Sequence, residues 1–257
     1  MSLNLEVKRR GSETRVNLMD AEESNPKRIR RVLTDEDDVK KYEANIHELL
    51  QEFPKLREAG LKEFEETVSL FSIHENARVK RRKVFEFFDR NINEGNRYQN
   101  DLVPKIVLEV YGVLEENKEQ LHLLSNWCDL CLPSNDTSFA EANRIKIQDF
   151  QDYLSTGISL NLASMRDINK CIDERTFRLQ LLFSTKPVLE ENRRSWAQLH
   201  RNFLVFLETN TYIKVTRIWE KVLEDYILYY NYWVTNLKGG SLTIERHKNG
   251  GNAGDYF

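Results

Sequence analysis

From Val188 to Leu237 the chain runs with neither proline nor glycine, between Pro187 on one side and Lys238-Gly239-Gly240 on the other. Nothing inside this stretch breaks a helix, and at 1.5 Å rise per residue a continuous helix here spans about 75 Å. Such a rod buries its apolar residues only against other rods of comparable length. The aromatic set Trp219, Tyr226, Tyr230 and Trp233 repeats at helical packing spacing. It reads as core and subunit-interface packing, with a base-stacking platform as the weaker alternative because few cations are interleaved.

The rest of the chain supplies partners. Acids at Asp35, Glu36, Asp37 and Asp38 suit the positive end of a helix dipole. Beyond them Tyr42, Ile46, Leu49, Phe53 and Leu56, then Leu61, Phe64, Val68 and Phe71, form a stripe of threes and fours, interrupted by Pro54. The expected elements are helix 1 at about 35–71, a linker at 72–100, helix 2 at about 101–132 with Pro104 in its first turn, helix 3 at about 146–186 and helix 4 at about 188–237. Within the linker, Ala77–Phe88 admits a short helix, and "NINEGNRYQN" reads as loop. On helix 3 the expected buried face carries Phe150, Leu154, Ile158, Leu162, Met165, Ile168, Ile172, Leu179 and Leu182. No segment alternates with a strand period. The fold class expected is all-α, a four-helix bundle of long helices over 34–238, flanked by a disordered basic tail at 1–33 and a glycine-loosened tail at 239–257. A helix apolar around more than one face also favours an oligomer.

Charge and composition limit the function. The formal net charge of -3 counts against a general nucleic-acid or membrane binder. No apolar run approaches the roughly 20 residues of a membrane helix, and the charged N-terminus does not read as a signal peptide. Three cysteines without framework spacing suit a reducing, intracellular setting. Cys128 and Cys131 form a Cys-x-x-Cys, but no second pair completes a zinc site and no strand–helix context supports redox chemistry, so buried thiols are expected. The histidines His47, His74, His122, His200 and His247 are scattered, and no phosphate-binding glycine loop is present. Neither a catalytic residue, a cofactor nor a metal is expected.

Basic runs lie at Lys8-Arg9-Arg10, at Lys27, Arg28, Arg30 and Arg31, and at Lys80, Arg81, Arg82 and Lys83. A solvated charge run, a phosphate patch and a nuclear import signal are all compatible with them. Their placement in a tail and a connection favours import, and hence the nucleus, with the cytoplasm as a second compartment.

The order of the motifs resembles the 11S (REG) proteasome activators, and most closely their nuclear gamma type. The acidic start is followed by Val39 and Tyr42, then "FPKL" at Phe53–Leu56. Trp127, Leu130 and Pro133 match the Trp-x-x-Leu-x-x-Pro that closes the family's second helix, and Ile147-Gln148 matches the opening of its third. Pro187, Arg193 and Arg194 match the turn into its fourth, with one inserted residue, and Lys80–Lys83 takes the place of the gamma-type basic run. The resemblance covers about residues 35–238. It implies a non-enzymatic subunit of a homo-heptameric ring that caps the 20S core proteasome without ATP.

In that family C-terminal tails enter pockets of the proteasome's outer (alpha) ring. The resemblance therefore assigns docking to Asp255, Tyr256 and Phe257, with seven weak grips summed by avidity. It assigns gate opening to an activation loop at 133–145, carried by Pro133, Ser134, Asn135, Asp136, Thr137, Ser138, Phe139 and Asn143. This loop lacks the family's glycines and is longer. The expected partners are the core proteasome and the chain itself; a nuclear helical scaffold without proteasome activity is the alternative.

Overall fold

The computed structural model describes residues 36–68, 75–93, 101–132, 141–184 and 190–238. Among them the chain is helical, with no strand. Five α-helices follow one another: α1 (Glu36–Thr67), α2 (Ala77–Asn93), α3 (Leu102–Cys131), α4 (Glu141–Ser184) and α5 (Glu190–Tyr232), the last continued by a π-helical turn at Trp233–Leu237. No helix among the described residues is long and apolar enough to cross a membrane.

Helix α5 is the element the others share. Of 43 residues, it runs for about 65 Å. Helix α1 lies antiparallel along its C-terminal half, through ring contacts of Phe53 with Tyr226 (4.9 Å) and of Phe64 with Trp219 (5.2 Å). Helix α2 lies along its N-terminal half, through Phe88 on Tyr212 (6.0 Å) and an ion pair from Asp89 to Arg201. On another side α4 runs antiparallel to α5 over its length, from Phe150 stacked on Tyr232 to Arg175 paired with Glu208. Helix α3 packs chiefly on α4 and α5. The core is one continuous cluster that includes Leu50, Phe53, Val110, Leu121, Trp127, Leu154, Trp219 and Trp233.

Local chemistry explains the helix limits. Pro54 stays inside α1, which continues past it with one backbone bond fewer. At the start of α2 the Asn76 Oδ1 accepts the Arg78 N–H at 2.9 Å, a side-chain cap. Pro104 occupies the first turn of α3, where its missing N–H costs nothing. In the π turn, Lys238 N–H reaches back five residues to the Trp233 carbonyl at 2.8 Å, and Trp233 and Leu237 are both buried.

Four sequence expectations change. The linker expected at 72–100 contains α2, which extends through Asn91 and Ile92 to Asn93. The cause is a stripe at every fourth residue, Val84, Phe88 and Ile92, buried in the core. Helix α4 begins at Glu141, so Asn143 is a half-buried helical residue rather than part of a loop ending at 145. Its buried face also differs: Leu162 and Ile172 are exposed, and the stripe runs through Ile147, Phe150, Leu154, Gly157, Asn161, Met165 and Ile168. A Cβ at Gly157 would collide with the Tyr229 hydroxyl, so glycine sets the spacing between α4 and α5. Finally, the rod expected to be α-helical to Leu237 changes to the π turn after Tyr232.

Candidate docking end

The start of α1, the end of α3, the start of α4 and the end of α5 meet at one end of the molecule. His47 of α1 lies against Trp127 of α3 (6.0 Å) and Trp233 of the π turn (5.7 Å). Tyr232 stacks on Phe150 with ring planes 8° apart at 5.2 Å, and its hydroxyl donates to the Lys146 carbonyl at 3.1 Å. Gln151 Nε2 donates to Asp129 Oδ1 at 2.6 Å, tying α4 to the last turn of α3. Tyr42 Oη donates to the Leu123 carbonyl at 3.0 Å, and burial pushes its phenol well above the ordinary range. Lys238 rests its ammonium 5.2 Å from the Trp233 ring.

Two segments attach to this end. Residues 133–140 join α3 to α4, and residues 239–257 follow Lys238. Most of the residues that the resemblance singles out lie outside the described ones: Pro133, Ser134, Asn135, Asp136, Thr137, Ser138 and Phe139, and Asp255, Tyr256 and Phe257. Only Asn143 is described, on the first turns of α4. The N-terminal tail, with Lys27, Arg28, Arg30 and Arg31, likewise lies outside the described residues. What the geometry gives is the anchorage. Both segments spring from the same aromatic-clamped end, held by side chains of α1, α3, α4 and α5 together.

The basic run expected in a connection lies instead on α2. Lys80 is 7% exposed, and its ammonium meets Glu220 Oε1 at 2.7 Å. Arg81 donates to Asn210 Oδ1 at 2.7 Å. Arg82 pairs with Glu86 one turn on, and Lys83 with Glu75. Three of the four residues thus point at acids, and two tie α2 to α5. The period of Lys80, Val84, Phe88 and Ile92 could have exposed this, because a lysine in phase with three apolar residues is on the buried face.

The remaining candidates read as interior. Trp219, Tyr226 and Trp233 are buried, so they offer no open face for a base. Tyr230 is partly buried against the same cluster. Cys128 and Cys131 are buried too, and burial holds both thiols far above the usual cysteine range, where they stay protonated. Among the described residues no cluster of His, Cys, Asp and Glu could hold a metal ion. No family model matches the chain, and neither a curated protein nor a solved structure shows significant similarity to it.

Proposed function

We propose that this chain is a subunit of an ATP-independent ring that caps the 20S core proteasome. Its C-terminal residues Asp255, Tyr256 and Phe257 dock in the pockets of the outer ring, and segment 133–140 acts on the gate. The supporting observation is the shared anchorage of 133–140 and 239–257 at one end of the helices. A cap must present its plug and its gate-opening element to the same surface, and a chain that sent them to opposite ends could not do so. In this reading α1 and α2 together fill one position of a four-helix bundle, beside α3, α4 and α5.

Self-association into a homo-heptamer draws on apolar side chains left in water. Leu108 is 71% exposed, Leu199 66%, Phe177 55% and Phe206 51%. Large side chains of this kind on helix faces suit the flank of a neighbouring subunit. Import into the nucleus falls to Lys27, Arg28, Arg30 and Arg31 together with the α2 run, of which Arg81, Arg82 and Lys83 keep exposed side chains. The chain performs no chemistry of its own here; it regulates a peptidase.

The test is hydrolysis of fluorogenic peptides by purified core proteasome with and without the protein. Stimulation that disappears when Tyr256 and Phe257 are deleted, with the ring intact by light scattering, is the expected result. The other reading, a nuclear helical assembly protein without proteasome activity, uses the same exposed Leu199 and Phe206 for assembly. A chain that assembles but neither binds the core particle nor stimulates it would establish that reading instead.

A further inference from the structure

We infer that the cleft between α3, α4 and α5, closed on one side by Arg81 of α2, is a binding site for a small organic phosphate. The cleft holds about 450 Å³, within the range of about 300–1,000 Å³ of small-molecule sites. Its lining has two parts. Leu160, Ile213 and Ile218 supply apolar surface, Arg81, Lys214, Arg217 and Lys221 supply positive charge, and Asp225 is the acid among the lining residues.

Charge pairing separates these cations. Lys214 is paired with Asp167 at 2.7 Å and Lys221 with Asp225 at 2.6 Å, so both are largely neutralised. Arg81 has a neutral partner, the Asn210 amide oxygen at 2.7 Å, and Arg217 is exposed, with no acid among the described residues within ion-pair distance. Among the described residues, two guanidinium charges therefore line one cleft without an acidic partner, in a chain whose net charge is negative. Guanidinium forks match phosphate oxygens two at a time, which an ammonium cannot do.

The amide of Asn161 adds a polar element to the wall. It lines the cleft, is 6% exposed, and donates to Asn117 Oδ1 at 2.6 Å. It sits in the α4 stripe between Gly157 and Met165, where an apolar residue would seal α3 to α4. The Asn117 bond offsets the cost of burying this amide, and the polar wall it leaves suits a ligand that carries hydrogen-bonding groups as well as a ring. The phosphate lies on Arg81 and Arg217, and the ring lies on Leu160, Ile213 and Ile218.

The proposal is independent of proteasome docking, since binding is read on the free chain. Calorimetric titration with phenyl phosphate, inorganic phosphate and phenol tests it. Phenyl phosphate should bind at least tenfold more tightly than inorganic phosphate, and phenol should give no heat. Arg217→Gln, an exposed change that leaves the fold untouched, should weaken phenyl phosphate at least tenfold, equivalent to about 1.4 kcal/mol. Arg144→Gln, on the exposed start of α4 outside the cleft, should leave binding unchanged. Equal affinity for phenyl phosphate and inorganic phosphate, undiminished binding by Arg217→Gln, or no binding at millimolar concentration would each overturn the assignment.

Discussion

Helices α1 and α2 dock on the same partner, α5, by different physics. Along α1 the seam is made of rings: Phe53 on Tyr226 and Tyr229, Phe64 on Trp219, His47 on Trp233. Along α2 a narrow apolar keel of Val84, Phe88 and Ile92 is flanked by charges, Lys80 to Glu220 and Asp89 to Arg201, and by the Arg81 bond to Asn210. Burial of large rings is little affected by salt, whereas the Asp89–Arg201 pair, with Asp89 half-exposed, weakens as salt rises, and the buried Lys80–Glu220 pair less so. The aromatic seam should therefore behave as part of the global fold, and the charged seam as a region that opens on its own.

The sharpest way to break this contrast is to remove a ring. Trp219→Ala should cost about 3–5 kcal/mol, because Trp219 is fully buried against Phe64, with an unchanged cost at high salt. Urea unfolding measures it, and a loss confined to α1 amides in hydrogen exchange would contradict the global role.

A smaller and more local effect is expected at Lys80. Lys80→Ala should cost about 2–3 kcal/mol, because it leaves Glu220 without its 2.7 Å partner in a half-covered site. Hydrogen exchange should accelerate over Ala77–Asn93 well before α1 responds. In the unaltered protein, raising salt to about 1 M should accelerate exchange in α2 relative to α1. Equal acceleration in both helices would erase the distinction.

The α4–α5 contact supplies a pH-dependent version. Burial raises the Glu208 carboxyl above the ordinary glutamate range, although the Arg175 guanidinium at 2.6 Å pulls it back. A raised carboxyl pKa means that the folded state binds its proton more tightly than the unfolded chain. Its contribution is full below the unfolded glutamate pKa and declines as pH rises through the folded value. Glu208→Gln should flatten the stability profile on the alkaline side of the glutamate range. An unchanged profile in that variant would show that the Arg175 pairing cancels the shift that burial gives.

The smallest effect needs no substitution. Cys171, partly exposed, should react with a thiol reagent in the folded protein, while Cys128 and Cys131 should react only at the rate of unfolding. Fast labelling of all three would mean that the end of α3 opens freely.

How much of this was legible depended on how each helix is buried. The stripe of α1 is large, apolar and in phase, and α5 carries no proline or glycine and is apolar on more than one face, so both carried straight into structure. Helix α2 was obscured because its first turns are Lys80–Lys83, and like charges in a row resemble a solvated connection. Its keel is only three residues wide, and Lys80 enters the interior only because Glu220 is waiting on α5. On α4 the buried line was misplaced toward Leu162 and Ile172 because the true line passes through Gly157 and Asn161. Their burial depends on the Tyr229 hydroxyl and the Asn117 amide, partners more than forty residues away. The start of α4 at Glu141 was missed because charged Glu141 and Arg144 carry no apolar period. For the candidate docking end, the sequence showed the two attached segments; that they share one end follows from helix directions and the clamp of His47, Trp127 and Trp233.

The π turn after Tyr232 acts as an angular offset. Each residue of a helix advances the backbone by about 100° around the axis, so one surplus residue swings the exit heading at Lys238 by that amount with almost no change in reach. Excising a single residue from Trp233–Leu237 would re-aim whatever follows while leaving its length and chemistry nearly as before. Heading and tether length are thus two separate dials, and this molecule sets the first with one turn.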